Sequence, residues 1–252
     1  MRRLLLTICY DGTNYCGWQV QPNAITVQEV LQKTLLTIVG DLPNGICGCS
    51  RTDSGVHANM FCCHFDTNSN ISPKSVVAAL NARLPLDIAA IDCSLVANDF
   101  HARYNCASKN YIYKIYNSNI RNPFKEKYYY RFNRPIDVEM LNEGCKAFLG
   151  EHDFKGFCSS GSSVKDTVRT VAECSVIRNG DDCFFSITAN GFLYNMVRIF
   201  VGTMLLLPEG KIQVDEIPDI INSRDRSRAG MTVVPHGLYL NKVSYDFNQF
   251  RG

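Results

Sequence analysis

The stretch "SRTDSGVH", residues 50–57, sets an arginine, an aspartate and a histidine among small residues and a glycine. Two readings of Asp53 are open. Aspartate, serine and glycine are standard turn formers, so Asp53 can simply shape the corner between two strands. Alternatively the turn holds it up as a reacting carboxylate. A second feature invites chemistry. The segment "GFLYNMVRIFVGTMLLL" is apolar on nearly every side, which predicts a helix buried all round. Arg198 stands in its middle. A buried guanidinium is costly unless paired and hydrogen-bonded. Either its head reaches a surface, or it meets a carboxylate, whose pKa it lowers and whose rotamer it fixes.

The other reactive side chains point less sharply. Twelve cysteines are many for 252 residues. Most sit in strand-like runs such as "GICGCS", "MFCCHF" and "DDCFFSI", where cysteine behaves as a small buried hydrophobe. Cys47, Cys49, Cys62, Cys63 and His64 are close in sequence, but no C-x-x-C pair occurs, which argues against a metal site. The net charge of +2 neither identifies nor excludes a nucleic-acid binder. Arg224, Arg226 and Arg228 cluster in "NSRDRSRAG", and "RNPFKEKYYYRFNR" interleaves cations with aromatics. Each is either a solvated face or a phosphate-contacting surface.

The elements that must position these residues follow from periodicity. "RLLLTIC" reads as a strand and "TVQEVLQKTLLTIVG" as a helix with Thr26 and Glu29 as a capping box and Gly40 at its end. Strands are expected near 46–50 and 57–65. A helix opens at Ser72 and Pro73, and a strand follows at "DIAAIDCSLV". That order is β-α-β-β-α-β. The second half repeats it as a pattern: "SKNYIYKIYN", "IDVEMLNEGCKAFLG", "TVRTVAECSVIR", "DCFFSITAN", the arginine-bearing helix and "GLYLNKVSYD". Insertions fall near 118–135, 150–166 and 208–236. The expectation is an α+β protein of two ferredoxin-like halves, 1–104 and 105–252. Their sheets would be mainly antiparallel, with helices on one face and a cleft between the halves.

No stretch is long and apolar enough for a transmembrane helix. The short apolar run after Arg2 and Arg3 reads as a first strand rather than a signal peptide, so a cytoplasmic location is expected.

Several blocks together resemble the tRNA pseudouridine synthase A family, over about residues 3–246. They are "YDGTNYCGWQVQPNAITVQEVL", "SRTDSGVHA", "FHARYNCASKNYIYKIYN", "FLGEHDFKGF", "TVRTV", "NGFLYNMVRIFVGTML" and "GLYLNKVSY". The resemblance implies an enzyme that isomerises uridine to pseudouridine in the anticodon stem-loop of tRNA, at nucleotides 38, 39 and 40. By resemblance Asp53 is the essential aspartate, Tyr111 stacks on the target uracil, and Arg198 pairs with Asp53. Arg51 contacts the RNA or helps extrude the base, and Leu238 lines the pocket. The resemblance also implies a homodimer, with no cofactor and no metal. Ser50 and Ser54 stand where the family often has glycine and alanine, which leaves the choice of target nucleotides open. His57 either touches RNA or satisfies the turn's backbone. Two alternatives stay beside this reading: a paralogue acting on another RNA or a subset of positions, and a catalytically silent RNA-binding homologue.

Overall fold

The apolar run near the N-terminus forms β1 (Arg2–Tyr10), whose Leu4, Leu6 and Ile8 are fully buried. The computed structural model describes residues 1–161 and 164–247. The chain divides into two units, one of Met1–Ala107 with the chain from Tyr239 onward, the other Ser108–Leu238.

In the first unit α1 (Val27–Val39) starts after Thr26 as expected, but only the Thr26 half of the capping box forms among the described contacts, since Glu29 pairs with Lys33. The Thr26 side chain accepts from the Glu29 N–H, and Gly40 ends the helix in the left-handed conformation. Val27, Leu31, Leu35 and Val39 form its buried stripe. β2 (Ile46–Gly48) and β3 (His57–Thr67) flank the turn that carries Asp53. α2 (Pro73–Asn81) is capped by Ser72 and followed by β4 (Ile88–Val96). β1 lies between β3 and β4, antiparallel to both, and β2 pairs antiparallel with β3. Arg3 and Asp66 face each other across β1 and β3. The guanidinium forks onto the carboxylate with two bonds of 2.8 Å, and Asn44 donates to the same carboxylate at 2.8 Å. Arg3 also donates to the Phe100 carbonyl at 2.8 Å. Such full satisfaction is what lets Asp66 stay buried and charged.

The second unit is built on β5 (Cys106–Asn117), which points Tyr111, Tyr113 and Ile115 inward in strict alternation. β6 (Tyr130–Phe132) pairs parallel with it, so the stretch expected as an insertion contributes a short strand. α3 (Val138–Lys146) begins at an Asp137 cap. β7 (Gly150–Asp153) is a further short strand that the sequence pattern does not announce. β8 (Val168–Asn179) and β9 (Asp182–Ala189) complete an antiparallel run in the order β5-β9-β8-β7.

α4 (Met196–Met204) is shorter at its start than the apolar run suggests. Asn195 has φ 61, and this left-handed residue separates the loop 190–195 from the helix. Asparagine enters that conformation at less cost than most residues. Every α4 residue except Arg198 is buried. Phe200 packs among Phe148, Phe154, Phe157 and Phe185, all essentially unexposed.

After α5 (Ile217–Ser223) the chain returns across α4. A Cβ on Gly202 would lie 1.9 Å from the Met231 carbonyl oxygen, and one on Gly230 would lie 2.3 Å from Gly202 C. Only backbone fits there. Gly230 N–H donates to Thr203 Oγ1 at 2.8 Å, fixing the crossing. The last strand, β10 (Leu238–Tyr245), pairs parallel with β3 at Tyr239–His57 and Leu240–Ala58. That pairing is why the chain from Tyr239 belongs with the first unit.

The Arg3 hydrogen bond holds the Asp66 carboxyl below the usual carboxylate range. An unfolded aspartate titrates near 3.9, so this stabilisation is complete above that pH and is lost as pH falls through the lower folded value. Asp66→Asn should therefore lower the urea midpoint at neutral pH, and the difference from wild type should shrink on acidification.

Candidate active site

Asp53 sits at the first corner of a tight turn. Its carbonyl accepts the Val56 N–H at 3.2 Å, and Gly55 takes φ 76. A turn with glycine in third position uses that conformation. The side chain is half-buried. Asp53 thus shapes the turn, as the first of the two readings expects.

The loop 11–18 holds this turn almost entirely by backbone. Trp18 N–H donates to the Thr52 carbonyl at 3.1 Å. Gly55 N–H and the Ser54 hydroxyl both donate to the Tyr15 carbonyl at 3.3 Å. Gly12 and Gly17 allow the approach. A Cβ at Gly12 would lie 2.0 Å from Val56 O, and one at Gly17 would lie 2.5 Å from Thr52 O and 3.1 Å from Asp53 C. Gly17 also has φ 81. Below the turn the Tyr10 and Thr52 hydroxyls share a buried hydrogen bond of 2.8 Å. Trp18 stacks on Phe61 with centroids 4.0 Å apart.

His57 resolves to a structural role within this unit. Only 1% of it is exposed. Its Nδ1 accepts the Gly12 N–H at 3.1 Å, and its ring stacks on Tyr239 at 4.6 Å. Asp11 Oδ1 is also 3.1 Å from that nitrogen. Arg51, by contrast, is exposed and has no ion pair among the described residues.

In the second unit the loop 190–195 touches two of the expected site residues. Phe192 meets Tyr111 edge to face, with centroids 5.0 Å apart. Asn195 Oδ1 accepts from Arg198 Nη1 at 2.7 Å, and its amide donates to Ser159 Oγ at 2.9 Å. On the other side Arg198 Nε donates to the Val233 carbonyl at 2.6 Å. These two acceptors are neutral, so neither bond cancels the charge of the guanidinium. Sequence reasoning found Arg198 but missed Phe192 and Asn195. The signal for Asn195 was present in part, because asparagine is the residue other than glycine most tolerant of positive φ. Tyr113 donates its hydroxyl to the Val234 carbonyl at 2.8 Å. Leu238 is buried and directly follows Gly237, where a Cβ would lie 2.8 Å from the Tyr113 ring.

The basic stretches are less free than charge patterning suggests. Arg224 is exposed, 3.1 Å from Asp153. Arg226 bonds to its own loop. Lys125 pairs with Asp182 and lies 4.7 and 4.9 Å from the Tyr116 and Tyr129 ring centroids. Phe124 beside it is exposed.

Among the described residues, Cys47, His64 and His101 bring possible ligand atoms within 4.8 Å of one another. His101 lies too far along the chain to be grouped with the other two by spacing. Each imidazole uses Nδ1 as an acceptor: His64 from Ala102 N–H at 3.1 Å, His101 from Arg103 and Tyr104 N–H at 3.2 Å. Burial lowers the His64 pKa to about 4 and lowers that of His101, so both rings are neutral at pH 7. A neutral ring accepting at Nδ1 carries its proton on Nε2. His101 Nε2, 3.5 Å from Cys47 Sγ, therefore presents N–H rather than a lone pair. A metal-bound histidine usually has the reverse arrangement, donating from its other nitrogen. All twelve cysteines are free thiols, and burial pushes Cys47, Cys62 and Cys93 upward, the latter two to about 11 and about 12.

A family model described as tRNA pseudouridine synthase matches residues 7–105 and 145–246. The tRNA pseudouridine synthase A of Thermoanaerobacter sp. (strain X514) is 45% identical over 245 residues, covering 97% of this chain and 100% of the relative. The tRNA pseudouridine synthase A 2 of Clostridium perfringens (strain 13 / Type A) is 45% identical with the same coverage. A solved chain of an archaeal box H/ACA Nop10–Cbf5 complex covers 89% of this chain and 59% of its own length, at 10% identity and a TM-score of 0.37, too remote a likeness to inform fold or function. The chain belongs to the tRNA pseudouridine synthase family.

Gly17→Ala tests the clamp on the Asp53 turn. The added methyl meets the Thr52 carbonyl, and φ 81 is strained for alanine. The variant should lose about 1–3 kcal/mol of stability, measured by urea denaturation. Its enzymatic turnover should fall further than the loss of folded protein explains.

Proposed function

We propose that the protein isomerises uridine to pseudouridine in the anticodon stem-loop of tRNA, at nucleotides 38, 39 and 40, with Asp53 as the reacting carboxylate. The observation that carries this reading is the Asp53 turn itself. It lies within the family-matched residues and is locked by backbone contacts that tolerate no side chain at Gly12 or Gly17.

The reaction breaks the bond from ribose to uracil nitrogen, turns the base, and joins ribose to uracil carbon 5. It has no net redox change and adds no water, so no cofactor is invoked. Three routes use a carboxylate beside the ribose: addition to the sugar, addition to the base, or removal of the 2′ proton. All need Asp53 ionised and shielded from water. We assign Arg198 as its partner, because a cation beside a carboxylate favours the ionised form. The neutral groups that orient Arg198 are suited to that task. Tyr111 stacks on the uracil, and the edge-to-face contact with Phe192 keeps its ring in place. Leu238 lines the uracil pocket. Arg51, exposed beside the turn, contacts the RNA or helps extrude the base.

The target base must leave its stack to react. An A-form stem hides its major groove, so recognition rests on shape, phosphates and 2′-hydroxyls, which a chain of modest net charge can supply. The protein is further proposed to act as a cytoplasmic homodimer without metal. The Nε2–H set toward Cys47 supports the last point. No helix among the described residues is long and apolar enough to cross a membrane.

The test is pseudouridine formation on a purified anticodon stem-loop with no additive. Asp53→Asn should lower turnover by about 10³-fold or more while leaving RNA affinity nearly unchanged, as expected for a group acting in the transition state. Turnover near wild type would refute the assignment. Modification of a different RNA in preference to the stem-loop would favour a paralogue.

Tyr111→Phe and Tyr111→Ala should separate. Base–aromatic stacking contributes roughly 1–3 kcal/mol per base, so alanine should weaken substrate binding while phenylalanine keeps it. Equal behaviour of the two variants in binding and turnover would remove Tyr111 from the substrate contacts.

A further inference from the structure

Arg226 stands in the middle of an arginine-rich stretch whose charge suggests a phosphate-contacting surface. Arg224 and Arg228 on either side are exposed, but Arg226 is half-buried. Its guanidinium bonds to the chain that follows it. Nη1 donates to the carbonyls of Ala229 at 3.3 Å and Gly230 at 2.9 Å, and Nη2 donates to Thr232 Oγ1 at 3.1 Å. The next residue is Val233. Its carbonyl accepts Arg198 Nε at 2.6 Å, and its N–H donates to the Arg198 carbonyl at 3.4 Å. Arg226 therefore braces the strap 229–232 that delivers an acceptor orienting Arg198.

The strap has other anchors, but they lie at its ends. Gly230 N–H is held by Thr203 Oγ1, and the Val234 carbonyl accepts the Tyr113 hydroxyl. Between them Met231 is exposed and Thr232 is half-buried. Val233 is buried, but neither Met231 nor Thr232 buries its side chain fully, so the fork on Ala229, Gly230 and Thr232 adds what packing does not supply just before Val233. A planar guanidinium suits the task because its fork reaches several acceptors at once in a fixed geometry. A flexible ammonium does not. We propose that Arg226 is a positioning residue for the reaction: it sets the strap, the strap sets the Val233 carbonyl, and that carbonyl sets the direction of the Arg198 guanidinium. The inference rests on the reading of Arg198 as partner of the reacting carboxylate.

The experiment compares Arg226→Ala, Arg198→Leu and the double variant on an anticodon stem-loop. It measures single-turnover pseudouridine formation, and RNA affinity at several salt concentrations. Arg226→Ala should lower the single-turnover rate by about 10- to 100-fold, the order expected when a reacting group is displaced by about an ångström. RNA affinity and its salt slope should not change. The double variant should be no slower than Arg198→Leu alone, since both changes act through the same guanidinium. If the slope of log Kd against log salt falls by about one, Arg226 contacts a phosphate and the inference is overturned. Losses that multiply in the double variant, or an unchanged rate in Arg226→Ala, overturn it as well. If Arg198→Leu keeps the wild-type rate, the reading of Arg198 fails first and takes this inference with it. Should Arg226→Ala not fold, Arg226→Lys keeps the charge and stem but not the fork, and is judged by the rate and the double-variant comparison.

Discussion

A single guanidinium on an otherwise buried helix imposes more on this protein than any other group. Arg198 can stay on α4 only if its donors are satisfied, and it can act on a carboxylate only if those bonds leave its charge intact. Asn195 and the Val233 carbonyl serve both demands, being neutral oxygens at 2.7 and 2.6 Å. Each imposes conditions further out. Asn195 takes a left-handed conformation before the helix and is tied to Ser159. Val233 lies on a strap that passes so close to α4 that both chains carry glycine at the crossing. Packing supplies the rest. Phe200, two residues along α4, sits in a cluster of four other phenylalanines, which fixes the helix that carries the arginine.

The Asp53 turn solves a related problem by different means. Backbone pressed on backbone anchors it. Loop 11–18 donates and accepts hydrogen bonds along the turn, and two glycines remove the side chains that would hold the segments apart. The buried Tyr10–Thr52 hydroxyl pair and the His57 ring close the underside. A residue on such a support cannot drift far. Precise placement of a reacting group is among the larger contributions an enzyme makes to rate. In the proposed reaction this matters because every route for the carboxylate begins with Asp53 ionised and close to the ribose.

Much of this was legible in the sequence where local chemistry decides the outcome. Thr26, Gly40, Ser72 and Pro73 mark helix ends through bonds made within a turn of themselves, and each stands where expected. The inward alternation of β5 and the oddity of Arg198 could also be read directly. What escaped depends on segments meeting from afar. The glycines at 12 and 17 reveal their purpose only beside residues 52–56. β6 and β7 are too short to show alternation. Charge patterning placed Arg226 with its exposed neighbours, although its fork is occupied internally. His57, left open between RNA contact and backbone support, accepts a backbone N–H from the neighbouring loop. The α4 start was expected too early because apolar residues in the loop 190–195 extend the helical pattern past a residue whose φ breaks it.

The most direct measurement is the pH dependence of single-turnover pseudouridine formation, for wild type and Arg198→Leu on the same stem-loop. Removing a cation beside a carboxylate raises the carboxylate's pKa. If Arg198 spends its charge on Asp53, the acidic limb of the profile moves to higher pH in the variant. A slower variant whose acidic limb stays in place would contradict the pairing, and Arg198 would then serve the RNA or another acid.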